Sequence, residues 1–317
     1  MNFPAELAAQ AVQLSIAAVE RDTGIGKDTL RIWERRYGFP NPGRDAFGER
    51  TYPTAQVEKL RLIKRLMDQG QRPGRVVPLA SEDLQSLSQN LATTRQQVTP
   101  PESDNPHAHV ARYLQLIRDH DTDGLRAQLH LAWTELGLEV FVMQVVAPVT
   151  AAVGDAWVRG QMEVFEEHFY TECVSALLRH AMDSLPQAQA TNSPRVMLTT
   201  FAQEPHGLGL LMAQSLLALQ GAHCVWLGTQ MPIHDIAKAA VAHSAQVVAL
   251  SFSAIMNPKQ VVNGLNELCL LLPPATEVWA GGQNTALRRL QLSRVVCVQG
   301  LGDVAAQVQR WRAEHAT

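Results

Sequence analysis

The chain has 317 residues, 46% apolar and 18% charged, with a formal charge of −3. That length allows two or three hydrophobic cores, and the composition is that of an ordinary globular protein. It holds no uninterrupted apolar run of about 18 residues to suggest a membrane span, no leader-like N-terminus, and four scattered cysteines (Cys173, Cys224, Cys269, Cys297) without a C-x-x-C pair, expected as small buried residues of a cytoplasmic protein.

The charge is unevenly placed. Residues 27–75 hold twelve Lys and Arg against six Asp and Glu, a surplus of +6 that leaves −9 for the rest. A basic module on an acidic body predicts a nucleic-acid partner for that module alone. Its elements follow in order: a first helix over 15–22, a turn over 23–26 and a second helix over 27–37, on which Leu30 and Trp33 share the core side. Lys27, Asp28 and Arg31 lie in the N-terminal half of the second helix, where a recognition helix reaches base edges, with Arg35 and Arg36 following. Residues 41–52 place Arg44 and Arg50 on a glycine-containing wing suited to phosphate contact. A helix over 55–67 carries Lys59, Arg61, Lys64 and Arg65.

The polar stretch 86–106, rich in Gln, Ser, Thr, Asn and Pro, reads as a linker. Beyond it, apolar residues recur at three-to-four spacing and predict helices over 110–120, 122–134, 137–158 and 164–185, a four-helix bundle. A second short linker spans 186–194. From there strands and helices alternate: strands at 196–200, 223–227, 247–251, 277–280 and 295–298, helices at 208–220, 233–242, 258–272 and 304–313. This is the pattern of a doubly wound parallel sheet of Rossmann-like type. The expected domains are therefore 13–84 (DNA binding), 107–185 (bundle) and 195–317 (sheet), joined by linkers over 85–106 and 186–194.

The loop Glu204-Pro205-His206-Gly207-Leu208-Gly209 follows the first strand of that sheet. A carboxylate two residues before a histidine can accept one ring N–H, fix the tautomer and turn the other nitrogen to a metal. One histidine cannot build a protein-only metal site, which takes three or four ligands. It can be one axial ligand to a metal that arrives in its own macrocycle, a corrinoid or a haem. On such sheets ligands bind beyond the carboxyl ends of the strands, where both this loop and the turn Gly281-Gly282 fall.

Three motifs resemble known families. The block Leu30-Arg31-Ile32-Trp33-Glu34-Arg35-Arg36-Tyr37-Gly38-Phe39-Pro40 resembles the MerR family of winged helix-turn-helix regulators, in its light- and cobalamin-linked branch. That likeness implies dimers or tetramers on a near-palindromic double-stranded DNA operator. Trp157, nine residues, then Glu167-His168 is similar to the bundle motif of the CarH, CarA and LitR photoreceptor regulators. It implies that Trp157 caps the upper face of adenosylcobalamin, or another cobalamin, with Val164, Glu167 and His168 around the upper ligand. Glu204-x-His206-x-x-Gly209 resembles the signature of corrinoid-binding domains in methionine synthase and the mutases. It implies that His206 is the lower cobalt ligand in place of the cofactor's own base. Ser251 would bond the displaced base, Ser253 lies in the same matching segment, and Gly281 and Gly282 leave room for the nucleotide tail.

One position departs from the photoreceptors. Where they carry a histidine directly after the tryptophan, this chain has Val158, which has no lone pair for cobalt. The expected function is a cytoplasmic, non-enzymatic, cobalamin-dependent transcriptional repressor without membrane contact. Any light response would proceed by photolysis of the carbon–cobalt bond, without the locked bis-histidine product. The rival expectations are a regulator whose corrinoid-type domain is empty or holds another tetrapyrrole, and a cobalamin-dependent enzyme subunit.

Overall fold

The computed structural model describes residues 13–68, 71–95, 106–185, 193–254 and 256–315. They fall into two compact units, one within 1–100 and 158–161, the other within 101–157 and 162–317.

The first unit runs β1 (Gln13–Ser15), α1 (Ile16–Thr23), α2 (Lys27–Tyr37), β2 (Gly43–Arg44), β3 (Arg50–Pro53), α3 (Thr54–Asp68), α4 (Pro73–Val76) and α5 (Ser81–Arg95). The Ser15 side chain accepts from the Ala18 N–H and caps α1. The strands form an antiparallel sheet in the order β1-β3-β2, so the expected wing is a hairpin. Leu30 and Trp33 of α2 bury with Val19, Tyr52, Leu60 and Ile63 in a core of their own. One expectation is corrected: α5 occupies the first half of the stretch 85–106 expected to be a linker. Asp83 and Glu82 favour its N-terminus and Leu84 anchors it in the core, which outweighs its polar composition. Residues 96–105 and 186–192 of the expected linkers lie outside the described residues.

The second unit begins with α6 (Pro106–Arg118), α7 (Thr122–Phe141), a π-helical turn (Val142–Val146), α8 (Ala147–Val158) and α9 (Val164–Asp183). Gly137, at φ 74° and ψ 163°, interrupts α7 where a break was expected between 134 and 137; the π turn was not expected. By length and mean composition alone the helical stretch Thr122–Trp157 is apolar enough to cross a membrane, although Arg126, Glu135, Glu139 and Asp155 interrupt it. Leu125, Leu129, Phe141, Val142, Val146, Val149 and Val153 are nonetheless buried in the bundle core, which is where its apolar surface goes.

The sheet follows: β4 (Arg195–Thr199), α10 (Leu208–Leu219), β5 (His223–Trp226), α11 (Ile233–Ala242), β6 (Val247–Phe252), α12 (Pro258–Leu271), β7 (Glu277–Gly282), β8 (Val295–Val298) and α13 (Val304–Glu314). All neighbours pair in parallel, in the order β5-β4-β6-β7-β8. The chain order reverses between β4 and β6, which opens the crevice where such sheets take ligands. Val196, Leu198, Val247, Ala249 and Trp279 face α10, α13 and the bundle; Met197, Val248, Leu250, Phe252 and Val278 face α11 and α12. Both sheet faces are covered, so the strands read as apolar runs. Bundle and sheet, expected as two domains, share one continuous hydrophobic core. The expected turn Gly281-Gly282 is the last pair of β7, in register with Ser251 and Phe252 of β6. Of the cysteines only Cys173 is buried; the other three are half-buried, and burial pushes the Cys224 thiol up to about 12.

Candidate functional site

At the carboxyl end of β4 the chain turns through Glu204 into the loop that starts α10. Glu204 is 1% exposed, and both of its oxygens accept hydrogen bonds. Oε1 accepts from His206 Nδ1 at 2.6 Å and from the His206 backbone N–H at 3.1 Å, while Oε2 accepts from the Ser253 N–H at 2.7 Å. Burial by itself would raise the Glu204 carboxyl; hydrogen bonds from His206 and Ser253 outweigh it and hold the group below its usual range. The carboxylate is therefore ionised and draws the proton of a neutral imidazole to Nδ1, which leaves the lone pair on Nε2. The His206 side chain is 53% exposed, so a buried anchor holds an outward ring.

Sequence reasoning missed two groups that hold this loop. Thr200, fully buried at the end of β4, donates through Oγ1 to the Glu204 carbonyl at 2.6 Å and accepts from the Gln230 N–H at 2.9 Å. Asn284, 2% exposed, donates from Nδ2 to the carbonyls of Ser253 (2.9 Å) and Met256 (2.8 Å) and so fixes the segment that supplies the Ser253 N–H. Their signal lies in contacts 30 residues apart in sequence, which no local pattern carries.

Beside this loop a row of small residues crosses the sheet. Ser251 and Gly281 are register partners on the face that α10 covers. A Cβ placed on Gly209 would sit 3.6 Å from Ser251 Oγ, and one on Gly281 would sit 3.5 Å from the Val298 carbonyl. A side chain longer than a methyl at either position would extend into the space between helix and strand ends. Gly282 has a different reason to be glycine: its φ is +111° and a Cβ would lie 2.3 Å from the Phe252 carbonyl oxygen. The Ser253 hydroxyl is buried here beside the Glu204 carboxylate and helps to hold that group ionised.

The bundle residues gather at a single helix-to-helix turn. Trp157, near the end of α8, is half-buried against the bundle core. Glu163 caps α9 reciprocally with Glu166. Glu166 turns inward, accepting from the Glu163 N–H at 2.6 Å and meeting His120 Nε2 at 3.1 Å; neither Glu166 nor His120 was singled out by sequence. Glu167 turns outward between His168 Nδ1 (2.8 Å) and Thr171 Oγ1 (2.8 Å), and Val164 stands partly exposed one turn earlier. The Val158 side chain lies outside the described residues.

In the first unit the outward stripe of α2 is Asp28, Arg31, Ile32 and Arg35, at helical spacing. Arg31 pairs with Asp28 at 3.0 Å, Lys27 with Glu20 at 3.4 Å, and Arg36 lies over the Tyr37 ring. Ile32, 48% exposed, was missed as a member of this stripe. The wing cations are engaged within the fold. Arg44 Nη1 donates to the Gly48 carbonyl at 2.6 Å, and Arg50 donates to Glu34 at 2.9 Å, binding β3 to α2.

Among the described residues no group of three or more His, Cys, Asp or Glu could hold a metal by itself. A corrinoid fits the residues present on two counts: an ionised Glu204 that sets the His206 tautomer, and a side-chain-free row at Gly209 and Gly281. Comparison with known proteins agrees. Residues 14–82 match the family described as MerR HTH family regulatory protein, and residues 110–181 the one described as B12 binding domain. The chain is 28% identical over 278 residues to the HTH-type transcriptional repressor CarH of Myxococcus xanthus, spanning 87% of this chain and 90% of that protein. It is 29% identical over 271 residues to the HTH-type transcriptional repressor CarA of the same organism, spanning 84% and 86%. In fold it resembles the monomethylamine corrinoid protein of Methanosarcina barkeri, with a TM-score of 0.52 at 14% identity over 65% of this chain and 99% of that one. The chain thus joins a MerR-type helix-turn-helix to a B12-binding region and is homologous over most of its length to the CarH and CarA transcriptional repressors.

Proposed function

We propose that the protein is a cobalamin-binding, MerR-type transcriptional regulator, a cytoplasmic repressor that takes double-stranded DNA through its N-terminal module and a corrinoid through the bundle and sheet. The observation that carries the cofactor half is the Glu204–His206 pair, a buried ionised acceptor behind an exposed imidazole. His206 would hold the lower side, with Ser251, Ser253, Gly209, Gly281 and Gly282 around the displaced base and tail. Trp157, Val164, Glu167 and His168 would cover the upper side, where an indole excludes water. When bound, an alkylcobalamin would supply a light-labile carbon–cobalt bond. The residues of this chain anchor, orient and shield it; nothing in the reading requires an enzymatic step, in keeping with relatives named as repressors.

Val158 offers no upper imidazole, so we read the protein as a sensor of cofactor availability, in which illumination yields no locked bis-histidine state. Cofactor binding would bias the assembly of a dimer or tetramer, and operator affinity would follow by avidity between paired DNA-binding modules. The test is a mobility shift of the full chain on its own promoter region, with and without adenosylcobalamin, in the dark and after green light. A cofactor-dependent change in affinity is expected; identical shifts in every arm would contradict the sensor reading.

A further inference from the structure

We propose that Phe47, at the tip of the β2–β3 wing, is an apolar wedge for the minor groove of the operator. The proposal rests on the DNA-binding reading and names a contact that the basic residues do not supply. A single exposed phenyl carries nothing by itself; its mounting does. The ring is 92% exposed on a turn stiffened from within. Asp45 Oδ1 accepts from the backbone N–H groups of Phe47 and Glu49, both at 2.9 Å. The Asp45 N–H donates to the Glu49 carbonyl, the Gly48 N–H to the Asp45 carbonyl, and Arg44 to the Gly48 carbonyl. The ring is thus held out by a turn with little freedom to fold it back.

The wing is also fixed against the helix that faces the major groove. Arg50 joins β3 to Glu34 of α2, and Asn41 and Gln56 exchange reciprocal hydrogen bonds of 2.8 and 2.7 Å that tie the base of the wing to α3. Placing α2 in one groove therefore places the tip at a set distance along the duplex. Charge argues for the ring as the tip's working group. Residues 43–50 carry Arg44 and Arg50 against Asp45 and Glu49, a net charge of zero, in a module that otherwise holds the +6 surplus. Both arginines of the wing also brace it, Arg44 on the Gly48 carbonyl and Arg50 on Glu34. Apolar side chains that enter the minor groove unstack a base step and bend the duplex, most cheaply at pyrimidine–purine steps.

The test uses the full chain and a duplex enriched by the wild-type protein from a randomised library, with 2-aminopurine placed in turn along the flank beneath the wing. Wild type is expected to raise the fluorescence at one step. Phe47→Ala should bind about tenfold more weakly, the size of one lost base–aromatic contact, and lose that rise; Phe47→Leu should keep most of both. Equal affinity and fluorescence for Phe47→Ala would overturn the wedge, as would weaker binding with the fluorescence rise intact. A Phe47→Ala protein whose oligomeric state changes without DNA, by sedimentation, would assign the ring to a contact between copies and overturn it too. If the wild type enriches no duplex, the DNA-binding reading itself fails.

Discussion

Glu204→Gln isolates the electrostatic core of the site, because it keeps the side chain's shape while removing one acceptor. The carboxylate accepts two bonds from His206 on Oε1 and one from the Ser253 N–H on Oε2. A glutamine has two settings here. With its oxygen toward His206, its NH2 meets the Ser253 N–H and orphans a buried donor, at a cost of about 1–3 kcal/mol. With its NH2 toward His206, Nδ1 must accept, the ring proton moves to Nε2, and the lone pair meant for cobalt is gone. Both settings weaken ligation by His206, so corrinoid affinity should fall about 10–100-fold, as when the hydrogen-bond acceptor behind a metal-binding histidine is removed. The assay is equilibrium titration of hydroxocobalamin into wild type and variant, followed by absorbance. Stability should respond in the same direction. The folded Glu204 sits below its unfolded value near 4.5, so its contribution is complete above that pH and disappears as pH falls through the folded value. The urea midpoint gap between wild type and Glu204→Gln should therefore narrow in acid. Unchanged titration curves together with a pH-independent gap would show that Glu204 does not set the His206 tautomer.

Further outcomes are expected elsewhere. Gly282→Ala forces a Cβ to within 2.3 Å of the Phe252 carbonyl at a φ of +111°, and should cost at least about 2 kcal/mol in urea unfolding; a shift under a few tenths would show that β7 relaxes freely. Trp157→Ala should retain the lower-ligand spectrum but lose cofactor faster through gel filtration; equal retention would remove the indole from the cap. Arg31→Ala should weaken binding to the enriched duplex by about 1–3 kcal/mol. Arg50→Ala should cost about 1 kcal/mol or less of module stability through its partly exposed pair with Glu34, and lower DNA affinity only by freeing the wing; full loss of affinity would restore Arg50 as a direct phosphate contact.

Local patterns made much of this protein readable. Glu204 and His206 stand two residues apart, so their bond was legible as a spacing. The strand runs were legible because both sheet faces are covered, and Leu30 and Trp33 because a helix repeats every three to four residues. What escaped was set by distant partners. The third bond to Glu204 comes from Ser253, 49 residues on, and the Thr200 and Asn284 supports likewise reach across loops. The pairing of Arg50 with Glu34 was not legible either, because nothing local places the two side by side. The stretch expected as a linker hides α5, since Leu84 is buried by residues of α3 that composition cannot see. The shared core of bundle and sheet is tertiary in the same sense: α10 is apolar nearly all round because it is covered on both sides.

The central claim is most directly tested by the absorption spectrum of the full chain after incubation with adenosylcobalamin in the dark and gel filtration, for wild type beside His206→Ala. Wild type should elute coloured, with the spectrum of a cobalamin whose own base has been replaced by an imidazole, and His206→Ala should elute nearly colourless. Equal colour and the same spectrum from both would contradict the account.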